Sequence, residues 1–133
     1  MKVKELRLIL TVENLDEVIA FYRDTIGLKT SKEWHESTGN GIILEGGRAS
    51  LELIDKSHAE RIDEIEVGKR ISGAVRIALN VGNNIENARK DLIGGGGKAV
   101  AEIRQAPWSK IARVEAPDGM QISLFENSTL FPE

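Results

Sequence analysis

The hexapeptide Arg7–Val12, Arg-Leu-Ile-Leu-Thr-Val, returns later in the chain as Arg76–Val81, Arg-Ile-Ala-Leu-Asn-Val. In both copies Leu, Ile and Val fall on alternate positions, the period of a strand with one buried face. Each copy leads into a helix start. Asn14 with Glu17, and at the same separation Asn83 with Glu86, make Asn-x-x-Glu pairs of the capping-box kind. A spacing kept across strand, cap and helix marks an internal duplication, so the chain reads as two copies of one strand–helix–strand–strand–strand unit. A length of 133 residues suits one domain built from two such halves.

The first unit is expected over residues 1–55. Leu6, Leu8, Leu10 and Val12 share the strand face that lies under the helix, and Arg7, Ile9 and Thr11 share the other. The helix is expected from Leu15 to Ile26, with Leu15, Val18, Ile19, Tyr22 and Ile26 on one stripe and Gly27 as its stop. Strands follow at 30–35, 42–45 and 49–54, with Gly46-Gly47 as a hairpin turn. The segment 56–72 is dense in charge and reads as an exposed linker. The second unit spans 73–127. Its helix is expected at 85–93, and the run Gly94–Gly97 stops it. That run follows a helix and precedes no Gly-Lys-Ser/Thr, so it is not a phosphate loop. Strands at 98–104, 111–115 and 121–126 complete an eight-stranded α+β fold, with a short peripheral tail from Asn127.

Composition narrows the function. A net charge of −3 with no basic stripe argues against nucleic acid. Without cysteine there is no thiol nucleophile and no thiolate metal site. Charges interrupt the N-terminal apolar residues, so neither a signal peptide nor a membrane span is expected, and a cytoplasmic, soluble protein is. No Gly-x-Ser-x-Gly elbow is present.

If each unit carries its helix on the convex side of the sheet, the other faces meet in a cup, because Ile9, Ile54 and Phe125 must be covered. Arg7, Glu52, Arg76 and Ser123 face that cup near the ends of the first, fourth, fifth and eighth strands. Several stretches resemble the vicinal oxygen chelate superfamily of glyoxalases, extradiol dioxygenases, and fosfomycin- and bleomycin-resistance proteins. They are Leu-Thr-Val-Glu-Asn-Leu-Asp (10–16), Phe-Tyr-Arg-Asp-Thr-Ile-Gly-Leu (21–28), Arg-Ile-Ala-Leu-Asn-Val (76–81), Pro-Trp (107–108) and Ala-Pro-Asp-Gly-Met-Gln-Ile-Ser-Leu-Phe-Glu (116–126). The resemblance implies paired βαβββ modules, a small-molecule site in the cup and often a homodimer.

The superfamily's metal enzymes place one ligand on each of those four strands, at positions held here by Arg7, Glu52, Arg76 and Ser123. Of these only Glu52 is an ordinary metal ligand, so no metal and no cofactor is expected. His35 and His58 match no ligand position. Two readings of the four residues stand side by side. In one, Glu52 neutralises one Arg and the other holds an anionic group of a ligand. In the other, both Arg brace Glu52 in an internal salt-bridge cluster. Base catalysis by Glu52 is disfavoured beside two guanidiniums. Trp34 and Trp108 are either flat walls for a planar ligand or ordinary packing. The resulting expectation is a metal-free small-molecule binding protein resembling the bleomycin-resistance branch. A divergent lyase, isomerase or dioxygenase, and a structural or regulatory dimer with a filled cup, are the alternatives.

Overall fold

The computed structural model describes residues 1–47 and 49–126, so the expected tail from Asn127 lies outside the described residues. The elements run β1 (Glu5–Thr11), α1 (Leu15–Ile19, continued by π-helical turns over Ala20–Thr25), β2 (Lys29–Glu36), β3 (Gly39–Gly46), β4 (Ala49–Ile54), α2 (Lys56–Glu66), β5 (Val75–Asn80), α3 (Ile85–Gly94), β6 (Lys98–Ala99), β7 (Arg104–Gln105), β8 (Lys110–Glu115) and β9 (Gln121–Phe125). They form one mixed sheet in the order β2-β3-β4-β1-β5-β9-β8-β6, with β7 also on β8. The strand expected at 98–104 is thus two short pieces. The duplication is visible in the pairing. β1 lies parallel to β4, as β5 does to β9, and the two modules join where β1 runs antiparallel to β5. The fold is α+β, two βαβββ modules making one curved sheet.

Each module carries a helix on the convex face. Leu15 and Ile19 of α1 pack on Ile42, Leu44 and Leu53. Ile85 and Ala88 of α3 pack on Ala112, Ile122 and Leu124. After Ile19 the first helix widens, with Ile26 N–H donating to the Phe21 carbonyl at 3.0 Å. The widening takes Ile26 off the buried stripe, and it is 52 % exposed. The capping expectation needs correction. Asn14 Nδ2 donates to Glu17 Oε2 at 2.9 Å, and the Asn14 side chain caps no backbone group. The second helix starts from Asn84, and Glu86 pairs instead with Lys110.

The face of β1 expected under a helix is only half covered. Leu10 and Val12 lie against α1, whereas Leu6 is 45 % and Leu8 37 % exposed. In register, Leu6 opposes Leu79, Leu8 opposes Ile77, and Leu10 opposes Val75, itself 43 % exposed. The seam between the modules is therefore an uncovered apolar strip.

The larger correction concerns 56–72. This segment is not an exposed linker. Asp55 accepts from His58 N–H at 2.9 Å and caps α2, which crosses the concave face. Ala59 and Ile62 share a core with Ile9, Ile54, Ala78, Ala106, Ile111 and Phe125. The buried stripe His58, Ala59, Ile62, Asp63, Glu66 has helical spacing but mixes acids with small apolar groups, so its charge hides its burial. The chain's own helix covers the residues that the cup was expected to leave open.

Candidate functional site

Period-two alternation along paired strands brings the expected site residues together in rows. Ile9 opposes Glu52 on β4 and Arg76 on β5, so Glu52, Ile9 and Arg76 lie side by side across the concave face. The next row holds Ser50, Arg7, Ala78, Ser123 and Arg113.

Arg7 is fully engaged. Its Nη1 donates to Glu52 Oε1 at 3.3 Å, its Nε and Nη2 donate to Glu5 at 3.0 and 3.3 Å, and its Cζ sits 4.8 Å over the Phe125 ring. Ser50 Oγ, which also accepts from Arg7, donates a short hydrogen bond to Glu5.

Arg76 is different. It is 4 % exposed and donates from Nη1 to Ser123 Oγ at 2.9 Å. Among the described residues no carboxylate lies within 4.0 Å of it. Burial pulls the pKa of this guanidinium down, while the more distant charges of Glu66 and Glu52 pull it up. Arginine stays protonated throughout, so a buried cation stands here without a contact counter-ion among the described residues.

A second cluster carries residues that sequence reasoning missed. Arg113 is fully buried. It donates to Asp63 Oδ1 at 3.0 Å, to Glu66 Oε1 at 2.9 Å, to Ser72 Oγ at 2.9 Å and to Gln121 Oε1 at 3.3 Å. Ser123 Oγ donates to Glu66 Oε1 at 2.7 Å, which links this cluster to Arg76. Asp63 also accepts from Arg70, from the N–H groups of Ile71 and Ser72, and from Ser72 Oγ. A sign of it stands in the sequence: Arg113 shares a strand face with Ile111, and Asp63 and Glu66 fall on the stripe of Ala59 and Ile62.

Burial alone would raise the Asp63 carboxyl. The N–H groups of Ser72 and Ile71, the Ser72 hydroxyl and Arg113 outweigh it and hold the carboxyl well below the usual carboxylate range. A depressed folded pKa means stability that is present above the unfolded value, about 3.9, and lost as pH falls toward the folded one. Urea unfolding followed from pH 5 down to pH 2 is expected to show a steep loss. In Asp63→Asn, already destabilised by about 3 kcal/mol, that acid slope flattens. Parallel slopes in the two proteins would show that Asp63 is not the titrating group.

The four superfamily ligand positions do not fit a divalent metal. Two hold guanidiniums, one holds a hydroxyl already bonded to Arg76 and Glu66, and Glu52 is shared with Arg7. Among the described residues no three His, Asp or Glu side chains converge elsewhere as a metal set.

Of the neighbours Trp34 and His35, it is Trp34 that turns inward. The His35 side chain is 64 % exposed and bonds Glu33 at 2.7 Å. Trp34 packs on the concave core, its ring centroid 5.2 Å from His58, and Trp108 lies 6.5 Å from His58. Trp34 stands on β2 at one end of the strand order, and Trp108 in the loop before β8 near the other. His58 of α2 thus bridges residues near the two ends of the sheet within one chain. Two open grooves are lined by neither Arg76 nor the two indoles. One, of about 710 Å³, runs along α1 beside Val18, Phe21 and Tyr22. The other, of about 630 Å³, lies by Lys69, Val75, Lys98 and Met120. No helix of the described residues is long and apolar enough to cross a membrane.

This architecture recurs in solved structures. A hypothetical protein of Bacillus halodurans matches with a TM-score of 0.64 at 18 % identity, covering 96 % of this chain and 94 % of that one. Methylmalonyl-CoA epimerase of Mycobacterium tuberculosis matches with a TM-score of 0.60 at 20 % identity, covering 95 % and 87 %. A glyoxalase/bleomycin resistance protein/dioxygenase superfamily member of Vibrio splendidus matches with a TM-score of 0.60 at 13 % identity, covering 92 % and 97 %. At such identities the likeness is one of fold. No curated protein sequence matches the chain. The family model for the Glyoxalase/Bleomycin resistance protein/Dioxygenase superfamily matches residues 6–124, from β1 into β9. With both modules, their parallel crossovers and the curved sheet in place, the chain belongs to the glyoxalase/bleomycin resistance protein/dioxygenase superfamily.

Proposed function

We propose that this chain is a metal-free small-molecule binding protein that holds a planar, acidic ligand on its concave face. Arg76, held in place by Ser123, takes the acidic group, and Trp34 and Trp108 flank the planar part. Arg7, paired with both Glu5 and Glu52, shapes the floor beside them. The observation that carries this reading is Arg76, a buried guanidinium bonded to Ser123 with no carboxylate in contact among the described residues. A ligand carboxylate would supply the missing counter-ion in a site of low dielectric.

The test uses 2-naphthoate, followed by quenching of Trp emission. Wild type is expected to bind it saturably, and Arg76→Met to bind about tenfold or more weakly, with Arg76→Lys between them. Equal affinity in wild type and Arg76→Met would remove the anchor and the proposal.

One observation favours a second reading, a structural or regulatory role. On the concave face four guanidiniums (Arg7, Arg70, Arg76, Arg113) are set among four carboxylates (Glu5, Glu52, Asp63, Glu66), and α2 covers the centre. Under that reading no probe quenches the wild-type protein. A lyase, isomerase or dioxygenase activity has no comparable observation behind it, since the residues at the superfamily's ligand positions do not form a metal set.

The proposed assembly is a homodimer joined through the strip of Leu6, Leu8 and Val75. β1 and β5 run antiparallel there, and each module adds a helix to one side, so the face is nearly two-fold symmetric and suits pairing with its own copy. Leu8→Glu is expected to shift the protein from dimer to monomer in sedimentation velocity. A wild type that sediments as a monomer would refute the assembly.

A further inference from the structure

At one end of the concave face, beyond the ion pairs, His58 lies between two indoles. It is 8 % exposed. Its ring is tilted by 51° to Trp34 and by 44° to Trp108. Two polar atoms at this point, Trp34 Nε1 and His58 Nδ1, are fully enclosed and have no hydrogen-bond partner among the described residues. Enclosed polar atoms are nearly always paired, because leaving one unpaired forfeits its hydration for nothing. Two such atoms on adjacent rings are not explained by apolar packing.

The backbone makes room for both rings. A Cβ on Gly41 would stand 2.2 Å from Trp34 Cζ2, and one on Gly39 would stand 2.3 Å from the His58 backbone nitrogen. β3 thus carries Gly-Asn-Gly where the indole and the first turn of α2 press against it. His58 also favours its neutral form. Burial lowers its pKa, Arg61 adds to that, and the pull of Glu52, Asp55 and Glu36 in the other direction is weaker. A neutral imidazole offers one donor and one acceptor, whereas an indole offers a donor alone.

We infer that this end of the concave face recognises a flat, uncharged ring edge of the lactam or amide kind, its acceptor taken by Trp34 Nε1 and its N–H by His58 Nδ1. Trp108, 42 % exposed and following Pro107, is the outer ring that moves aside to admit the ligand and then covers it. The site rests on the proposed small-molecule role of the concave face and adds to it the hydrogen-bonding class of the planar part. His58 belongs to the segment between the modules and lies at none of the four superfamily ligand positions.

Three probes of similar size separate the possibilities: 2-quinolone, naphthalene and 2-naphthoate, each titrated against Trp emission. Wild type is expected to prefer 2-quinolone to naphthalene by about tenfold, as two enclosed hydrogen bonds would give. His58→Phe is expected to lose that preference while still binding naphthalene. Trp34→Phe, with Trp108 as reporter, is expected to weaken it. Near-ultraviolet circular dichroism checks that both variants keep their tertiary packing. If naphthalene binds wild type as well as 2-quinolone does, the polar pair is met by a bridging water and the inference is wrong. Binding of 2-naphthoate that depends on Arg76 would then still leave the small-molecule role standing. A 2-quinolone preference unchanged in both variants would place the probe elsewhere and also overturn the inference. If none of the three probes binds, the small-molecule role fails, and the lactam site with it.

Discussion

Arg113→Met is expected to destabilise the fold by about 3–5 kcal/mol, the cost of leaving a buried charge without its partner. Arg113 has no exposed surface and ties α2 to β8 through Asp63 and Glu66, with ion-pair distances of 3.0 and 2.9 Å. Methionine fills a comparable volume, so the loss is electrostatic and not a cavity effect. A domain of this size has about 5–15 kcal/mol in all, so the variant stands near its limit. Equilibrium urea unfolding measures the loss. Asp63→Asn and Glu66→Gln added to Arg113→Met are expected to recover part of it, because the uncompensated carboxylates go as well. A loss below about 1 kcal/mol would mean that water reaches the cluster and the charges are solvated. Arg76→Met serves as the contrast. It removes a buried cation that has no carboxylate in contact among the described residues, so its effect on stability is expected to be smaller.

Gly39→Ala is the second large effect, expected at about 3 kcal/mol or more, with two causes that add. Gly39 has φ of +137°, where an L side chain is strained, and its new Cβ would overlap the backbone of His58 at 2.3–2.5 Å. Backbone cannot swing aside as a side-chain tip can, so the first turn of α2 must lift. That turn is held at Asn40, whose N–H and Nδ2 both donate to Asp55 Oδ2, at 2.9 and 3.1 Å. Besides the loss in urea midpoint, Trp emission is expected to move to the red as Trp34 loses its cover. Gly47→Ala is the control. It also has positive φ, +76°, but meets nothing within 4 Å, so only the backbone term of about 1 kcal/mol is expected. Equal losses in the two variants would show that the close approach of α2 to β3 contributes nothing.

The duplicated Arg-containing strand, with its alternation and the helix behind it, is enough to determine the modules, their order and the class of fold. Such signals are local. A strand face repeats every second residue and a helix face every third or fourth, whatever the rest of the chain does. The same alternation sets Arg7, Glu52, Arg76 and Ser123 on one face, and it requires that either Trp34 or His35 point inside. Tertiary structure alone decides what lies over that face. The segment 56–72 is rich in Lys, Arg, Asp and Glu, and by composition it belongs in water. It is buried because Asp63 and Glu66 meet Arg113 from a strand some 50 residues later, at hydrogen-bonding distances of 2.9–3.2 Å. Burial of charge depends on a partner, and partners distant in sequence leave no period to read. For the same reason His58 reads as a linker residue in the sequence. Its place between Trp34 and Trp108 exists only once the sheet has curved and brought its two ends together.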